Sequence, residues 1–369
     1  MRRAAARVVI VLLTGLVSLG VLVPVSAQTL SWAIVPSPSI KGDDNFLAAV
    51  SCTSAAFCEA VGALSAKHAT SPLVDSWNGK RWAMAKTPAA PGGQLDAVSC
   101  ASATACTAVG FTGNDGPPLA ERWNGTRWSS VPTPAEPNGE LVGVSCSSAS
   151  ACTAVGSDNN GPLIESWNGT RWSVVPSPGG TFDLLAGVSC VSPAFCAAVG
   201  LGGRSQLEPF IESWNGTRWS IVPSPRKPTG SLAGVSCVSP AFCTAVGTYL
   251  GPKVNEKLLA ESWNGTRWTI TPTPTPRSGE LNGVSCLSAA HCTAAGRYQP
   301  GSASPERTLI ESWNGTRWSR VASPSPAPQD YVLFGVSCPS ARTCTAAGIV
   351  TPLPSELSRT VIETGTAGT

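Results

Sequence analysis

The chain has 369 residues, of which 37 are Gly and 32 Pro, well above ordinary usage, and only 13% are charged. This composition argues against helical bundles and coiled coils, while 42% apolar residues are enough for a core and argue against wholesale disorder. Arg2, Arg3 and Arg7 account for the formal charge of +3; beyond residue 27, 22 of the 25 Lys and Arg face 22 Asp and Glu. A neutral remainder with no run of Lys and Arg lacks the electrostatic footprint of a nucleic-acid binder, so no such partner is expected.

Residues 1–27 combine that basic start with an apolar stretch over 8–23 and a closing Val25-Ser26-Ala27, a small-x-small cleavage pattern. This reads as a secretory signal peptide, the alternative being an uncleaved membrane anchor. Export makes the expected location extracellular and places the 14 cysteines where disulfides persist.

From residue 28 the chain repeats. The cysteines form seven C-x5-C pairs, Cys52/Cys58, Cys100/Cys106, Cys146/Cys152, Cys190/Cys196, Cys237/Cys243, Cys286/Cys292 and Cys338/Cys344, whose first members lie 44 to 52 residues apart. A period in the forties with short strand-like runs is a propeller-blade signature. One unit reads Leu141-Val-Gly-Val-Ser-Cys146, a turn, Cys152-Thr-Ala-Val-Gly156, a variable loop, Leu163-Ile-Glu-Ser-Trp167, Asn168-Gly169, and a last strand opening at Trp172 and closing in Pro-x-Pro. These are four strands, A to D, with the Gly/Ala-rich A innermost and the proline-ended D on the outer edge. Asn-Gly between C and D, as at Asn78-Gly79, predicts a type I′ turn. The last unit stops after Glu363 without a strand D, and an orphan strand D, Ser31-Trp-Ala-Ile-Val-Pro-Ser-Pro38, stands at the other end. The expected fold is therefore an all-β, seven-bladed propeller of four-stranded blades. It spans residues 28–369 as one domain, with the last blade built from 332–364 plus 28–38.

Each C-x5-C pair is expected to be a disulfide stapling the A–B hairpin; metal ligation would use tighter spacings with histidine, and no metal or cofactor is expected. Each unit also has an acidic residue two before its first Trp position (Asp75, Glu121, Glu165, Glu212, Glu261, Glu311, Glu363). Six have an Arg before the second Trp (Arg81, Arg127, Arg171, Arg218, Arg267, Arg317). Trp, Arg and carboxylate suit either a structural ion-pair ring with interblade Trp packing or a ring of sugar sites. Asn124, Asn168, Asn215, Asn264 and Asn314 also match the N-glycosylation acceptor pattern, which the hairpin turn already explains. His68 and His291 are isolated. Asp43-Asp44-Asn45 and Ser157-Asp-Asn-Asn-Gly161 fit turn chemistry or a calcium loop.

The recurring Glu-Ser-Trp-Asn-Gly-Thr-Arg-Trp-Ser with Gly-Val-Ser-Cys resembles exported repeat proteins of high-GC, actinobacterial-type bacteria, over nearly the whole chain beyond residue 27. More loosely it is similar to kelch-type propellers. The Ser-x-Asn-Gly-x-x-Trp core resembles a sialidase Asp-box, one residue shorter and with Asn for Asp, and the Glu/Arg/Trp set is similar in type to fucose-binding propeller lectins.

In such a wheel the A–B and C–D turns share one rim, and the B–C and D–A connections the other. The first two barely change between units, while the second two vary in length and chemistry, so binding is expected on the variable rim. Candidates there are Asp115, Arg204, Tyr249, Lys253, Arg297, Tyr298 and Arg307. The leading expectation is a secreted, monomeric, non-enzymatic binding or scaffold protein for an extracellular protein or glycan, with a membrane involved only through an uncleaved N-terminal segment. A lectin with Trp/Arg/Glu sites in every blade and a glycan-active hydrolase or lyase are the alternatives.

Overall fold

The computed structural model describes residues 30–66, 69–113, 116–134, 138–204, 207–225, 229–251, 255–274, 276, 278–302, 304–354 and 357–368; the expected signal segment, His68, Asp115 and Lys253 lie outside them. The described residues form seven four-stranded antiparallel sheets. Blade 1 runs Asp44–Ser54, Phe57–Ala66, Ala69–Trp77 and Trp82–Met84 as strands A to D, hydrogen-bonded in that order. Blades 2 to 6 repeat this over 93–130, 140–174, 184–221, 230–270 and 278–321. Blade 7 contributes Gln329–Ser340, Thr343–Pro352 and Arg359–Ala367, and its outer strand is Leu30–Val35 from the other end of the chain. That strand pairs antiparallel from Leu30 opposite Ala367 to Val35 opposite Ile362, so the orphan sequence closes the wheel as expected.

The repeated residues explain the blade. Strand A bulges after its Leu, as between Leu141 and Gly143, and this throws its backbone against strand B. A Cβ on Gly156 would lie 1.9 Å from the Glu140 carbonyl oxygen, so the Gly of each Ala-Val-Gly run is the residue the bulge requires. Below the bulge each cysteine pair joins A to B. All seven expected disulfides are formed: Cys52–Cys58, Cys100–Cys106, Cys146–Cys152, Cys190–Cys196, Cys237–Cys243, Cys286–Cys292 and Cys338–Cys344. Closing a loop of roughly 7 residues contributes about 2 kcal/mol on the chain-entropy account.

Each staple lies within its own A–B hairpin as expected, and it does more than staple. The second cysteine of each pair is buried, Cys58, Cys106 and Cys243 among them, together with Cys152, Cys196, Cys292 and Cys344. Cys58 packs in the cluster between blades 7 and 1, Cys106 in that between blades 1 and 2, and Cys243 in that between blades 4 and 5. The reason is strand alternation: the side chain that reaches back to strand A from strand B also faces the neighbouring blade. These sulfurs are thus core atoms as well as cross-links, and none is a surface site.

The hydrophobic core lies between blades. One cluster joins Ala97, Val109 and Ala120 of blade 2 to Leu141, Val144, Leu163 and Trp172 of blade 3. Another joins Ala347 and Ile362 of blade 7 to Leu47, Leu73 and Trp82 of blade 1, which makes the closure a packed interface rather than a seam. The second Trp of every unit, Trp32 included, is buried in such a cluster. Packing between blades is thus what these tryptophans do.

The Ser of each Val-Ser-Cys links neighbouring blades. The Cys100 amide donates to Ser51 Oγ of blade 1 (3.0 Å), Cys146 to Ser99, Cys190 to Ser145, Cys237 to Ser189, Cys286 to Ser236 and Cys338 to Ser285. The Cys52 amide donates to Ser337 Oγ at 2.9 Å and completes the circle.

The C–D connection departs from expectation. Trp77 pairs with Trp82 across the ladder, leaving a four-residue loop, and only its Gly79 has positive φ. A type I′ turn needs positive φ at both central residues. Here Asn78 Oδ1 instead accepts the amides of Lys80 and Arg81, both at 3.0 Å, and closes an Asx turn. The acceptor-pattern asparagines are spent the same way; Asn168 Oδ1 takes the Thr170 and Arg171 amides and the Thr170 hydroxyl.

Candidate functional site: two unlike rims

Every strand A starts, and every strand B ends, at the variable rim, so residues there sit on long strands but point into connections the repeat does not constrain. Blade 6 carries a charged corner. Arg297 Nε donates to Glu280 Oε1 at 2.7 Å and Nη2 to Oε2 at 3.2 Å; Nη1 bonds Glu306, and Glu256 Oε2 lies 3.6 Å from Nη2. The Glu306 amide in turn donates to Asp330 Oδ1 (2.7 Å). The Glu280 hydrogen bonds hold the Arg297 guanidinium above its ordinary pKa. Arg297 is therefore committed to its own carboxylates.

Blades 4 and 5 carry an apolar corner. Phe182, Leu184, Leu207 and Leu250 are all exposed, Phe182 by 52%. Arg204 lies over the Phe182 ring, 5.1 Å from its centroid. Leu207 and Leu250 are tied through Thr229, whose amide donates to the Leu207 carbonyl (2.6 Å) and whose carbonyl accepts from Leu250 (3.2 Å). Thr229 holds φ of 60°, where the matching junction into blade 2 has Gly92 at 78°. A β-branched residue there is strained, and such strain gathers at binding sites.

Of the expected site residues that are described, Arg297, Tyr298 and Arg307 share one hairpin of blade 6, Tyr298 opposite Arg307 in the ladder, while Arg204 and Tyr249 stand on blades 4 and 5. Arg204 is exposed beside the apolar corner, and Arg307 is exposed on blade 6. Tyr249 packs against the core between blades 4 and 5, and Tyr298 against that between blades 5 and 6, beneath the Arg320 guanidinium (3.6 Å). Asp115 and Lys253 lie outside the described residues. The apolar corner was missed because its members are spread over three connections of unlike sequence. Both acidic loop motifs are turns: Asn45 Oδ1 and Nδ2 bond the Ile40 amide and carbonyl, and Asp158 Oδ1 accepts the Asn160 amide.

The opposite rim dissolves the Trp/Arg/Glu set. All seven repeat carboxylates have zero exposure, while Arg81, Arg127, Arg171, Arg218, Arg267 and Arg317 stand in solvent at the turns. Neither a sugar site within each blade nor an Arg–Glu ion-pair ring is formed, because the strand alternation buries one partner and the turn expels the other. Burial pushes the carboxyls up, to about 7 for Asp75, Glu121, Glu212, Glu261 and Glu363 and about 8 for Glu311. Ser177, Ser224 and Ser323 of the preceding blades donate to Glu212, Glu261 and Glu363, which opposes that rise. The first Trp of a unit is fixed by its own A–B turn, as where Trp214 Nε1 donates to the Pro193 carbonyl (3.0 Å). Trp167 is the exception. Arg122, standing where five units have Ser and the last has Thr364, donates to the corresponding Ala149 carbonyl (2.6 Å) and lies over the Trp167 ring (4.4 Å).

No protein-family profile matches the chain, and no curated protein matches it in sequence. Solved structures do resemble it in fold. YCF48 from Cyanidioschyzon merolae is 15% identical with a TM-score of 0.54, covering 90% of this chain and 98% of its own. YCF48 bound to D1 peptide is 13% identical, TM-score 0.55, covering 93% and 96%. The RRP9 WD40 repeats are 11% identical, TM-score 0.61, covering 92% and 98%. At these identities the likeness establishes a β-propeller fold.

Proposed function

We propose that the protein is an exported, non-enzymatic binding scaffold whose variable rim holds a peptide segment of a partner protein at the apolar corner. The observation that carries this reading is four exposed apolar side chains, Phe182, Leu184, Leu207 and Leu250, in connections of blades 4 and 5 on one rim, with Arg204 over Phe182 and the strained Thr229 bonded to both Leu207 and Leu250. A folded monomer gains nothing from holding such side chains in water, whereas an incoming apolar segment would bury them. The exposed Met84, Val174, Ile221 and Ile270 differ in kind, since each is the exposed large apolar side chain of the outer strand of its own blade. That YCF48, a propeller of similar fold, is found bound to the D1 peptide supports a peptide as the ligand class. Seven disulfides support an oxidising compartment, and residues 1–27 supply the export signal.

The test is selection of displayed random peptides on the immobilised full chain. Selected peptides are expected to lose binding to Leu207→Ser/Leu250→Ser and keep it on Arg171→Gln/Arg218→Gln. Peptides indifferent to the first pair would overturn the reading. A glycan array run on the same variants would make the ligand a sugar if glycan binding alone followed the rim.

A further inference from the structure

The repeat places one arginine at the same position of the same four-residue turn in six successive blades. Their backbone amides hold the turns: the Arg81, Arg127, Arg171, Arg218, Arg267 and Arg317 N–H each donate to the turn asparagine at 3.0 Å. Their side chains are exposed, and among the described residues no guanidinium of the six has an ion-pair or hydrogen-bond partner. Blades related by rotation about one axis set these six charges at one height around one rim. Lys80 and Arg342 add two more exposed cations there, both in turns of that rim. The acidic residues nearest, Glu59 and the seven repeat carboxylates, have zero exposure. A chain that is neutral beyond residue 27 is thus sorted by folding into a wheel with one rim whose exposed side-chain charges, among the described residues, are cationic, an electrostatic footprint the linear sequence conceals.

Where the chain joins the wheel adds a second observation. Strand D of a blade runs away from this rim, so Leu30, which opens strand D of blade 7, lies on it. The sequence ahead of Leu30 holds the apolar stretch over 8–23, only a few residues away. A chain that kept this stretch, the uncleaved-anchor alternative, would leave the wheel from the arginine-bearing rim.

We infer that the A–B/C–D rim docks electrostatically against an anionic lipid bilayer. A planar ring of single, well-separated guanidiniums engages a flat field of phosphates with all members at once, whereas a flexible polyanion would have to bend around the circle to do so. The rim offers little apolar surface to insert, Leu287 being its exposed large side chain, so attraction to the headgroup layer dominates and is screened by salt. The variable rim then points away from the membrane toward a partner.

Flotation of the full chain with vesicles tests this. Phosphatidylcholine vesicles are compared with vesicles containing about 30% phosphatidylglycerol, and Arg2, Arg3 and Arg7 ahead of the apolar stretch are common to every variant, so the rim's share is read from the variants. Preference for the anionic vesicles is expected to be at least about 30-fold and to vanish at high salt. Arg127→Gln/Arg171→Gln/Arg218→Gln should reduce it at least about tenfold, while Lys41→Gln/Arg307→Gln/Arg359→Gln, the same charge change on the other rim, should alter it less than about threefold. Equal partitioning to both vesicles, or equal effects of the two triples, would overturn the inference. Binding of soluble polyphosphate through the same arginines without vesicle preference would assign the rim to a dissolved polyanion and overturn it equally. All variants are checked by thermal melting, where little change is expected because none of the six side chains has a partner to lose.

Discussion

The two rims are built from one repeat and differ in what the repeat fixes. On the A–B/C–D rim every unit has the same disulfide, six have the same Asx turn and the same arginine, and repetition turns one exposed charge into a ring. On the B–C/D–A rim loop length and chemistry change from blade to blade, and the result is local: a corner of Arg297 among carboxylates on blade 6 and an apolar corner across blades 4 and 5. Repetition favours contacts with extended, uniform partners; variation favours a single specific one. Sameness between copies does not by itself mark a surface as merely structural.

The largest effect should separate the core from both rims. Trp219→Ala, which empties a buried interblade position, is expected to cost about 3–5 kcal/mol in urea unfolding. The opposing substitution Leu250→Ser on the variable rim should stay within about 0.5 kcal/mol; a comparable loss would mean that the exposed corner serves folding instead of recognition. Next comes the circle of interblade hydrogen bonds. Ser145→Ala strands the Cys190 amide and should cost about 1–3 kcal/mol, read in the same experiment.

A smaller, graded effect concerns pH. Asp75, Glu121, Glu212, Glu261 and Glu363 lie near 7 and Glu311 near 8 in the folded wheel, against an ordinary 4.5 or 3.8, so folding takes up protons at intermediate pH. The linked stability is fully present below about pH 4 and is lost as pH rises through 7 to 8. The melting temperature should therefore be lower at pH 8.5 than at pH 5, and Glu311→Gln should flatten that slope. A rising profile would show that the carboxyls find counter-charges the fold does not display. The smallest effect is expected for Arg171→Gln alone: negligible on stability, and a modest loss of anionic-vesicle binding within a ring of six.

Much of the wheel was legible because each of its demands falls on a different residue type. Cysteine spacing gave the period, Asn-Gly the C–D connection, and the unmatched strands around Trp32 and Ile362 the closure. The same spacing paired Cys58, Cys106 and Cys243 with their partners but said nothing of their burial between blades, since the packing neighbours come from another repeat. The turn geometry was misjudged because Asn-Gly serves both a two-residue I′ turn and an Asx-closed loop of four; which one forms depends on Trp77 pairing with Trp82, a tertiary choice. Of the Trp/Arg/Glu set the sequence showed the neighbours but not their separation, because Glu212 is buried on its strand while Arg218 stands in the exposed turn that follows. The role of Ser51 or Ser145 was invisible, as its partner belongs to another blade. The apolar corner escaped for a similar reason: Leu207 and Leu250 are linked through Thr229, and Phe182 meets Arg204, only after folding.

The circle of Ser acceptors and Cys amides runs in one sense through all seven blades, and it treats the junction at Cys52 and Ser337 like any other. Nothing in it marks where translation began. With Leu30 and Ala367 directly opposite one another in a ladder, a circularly permuted gene that joins the old ends and opens at another D–A connection should yield the same wheel. The order of blades along the polypeptide is thus an accident of the gene, while their order around the axis is the property of the protein.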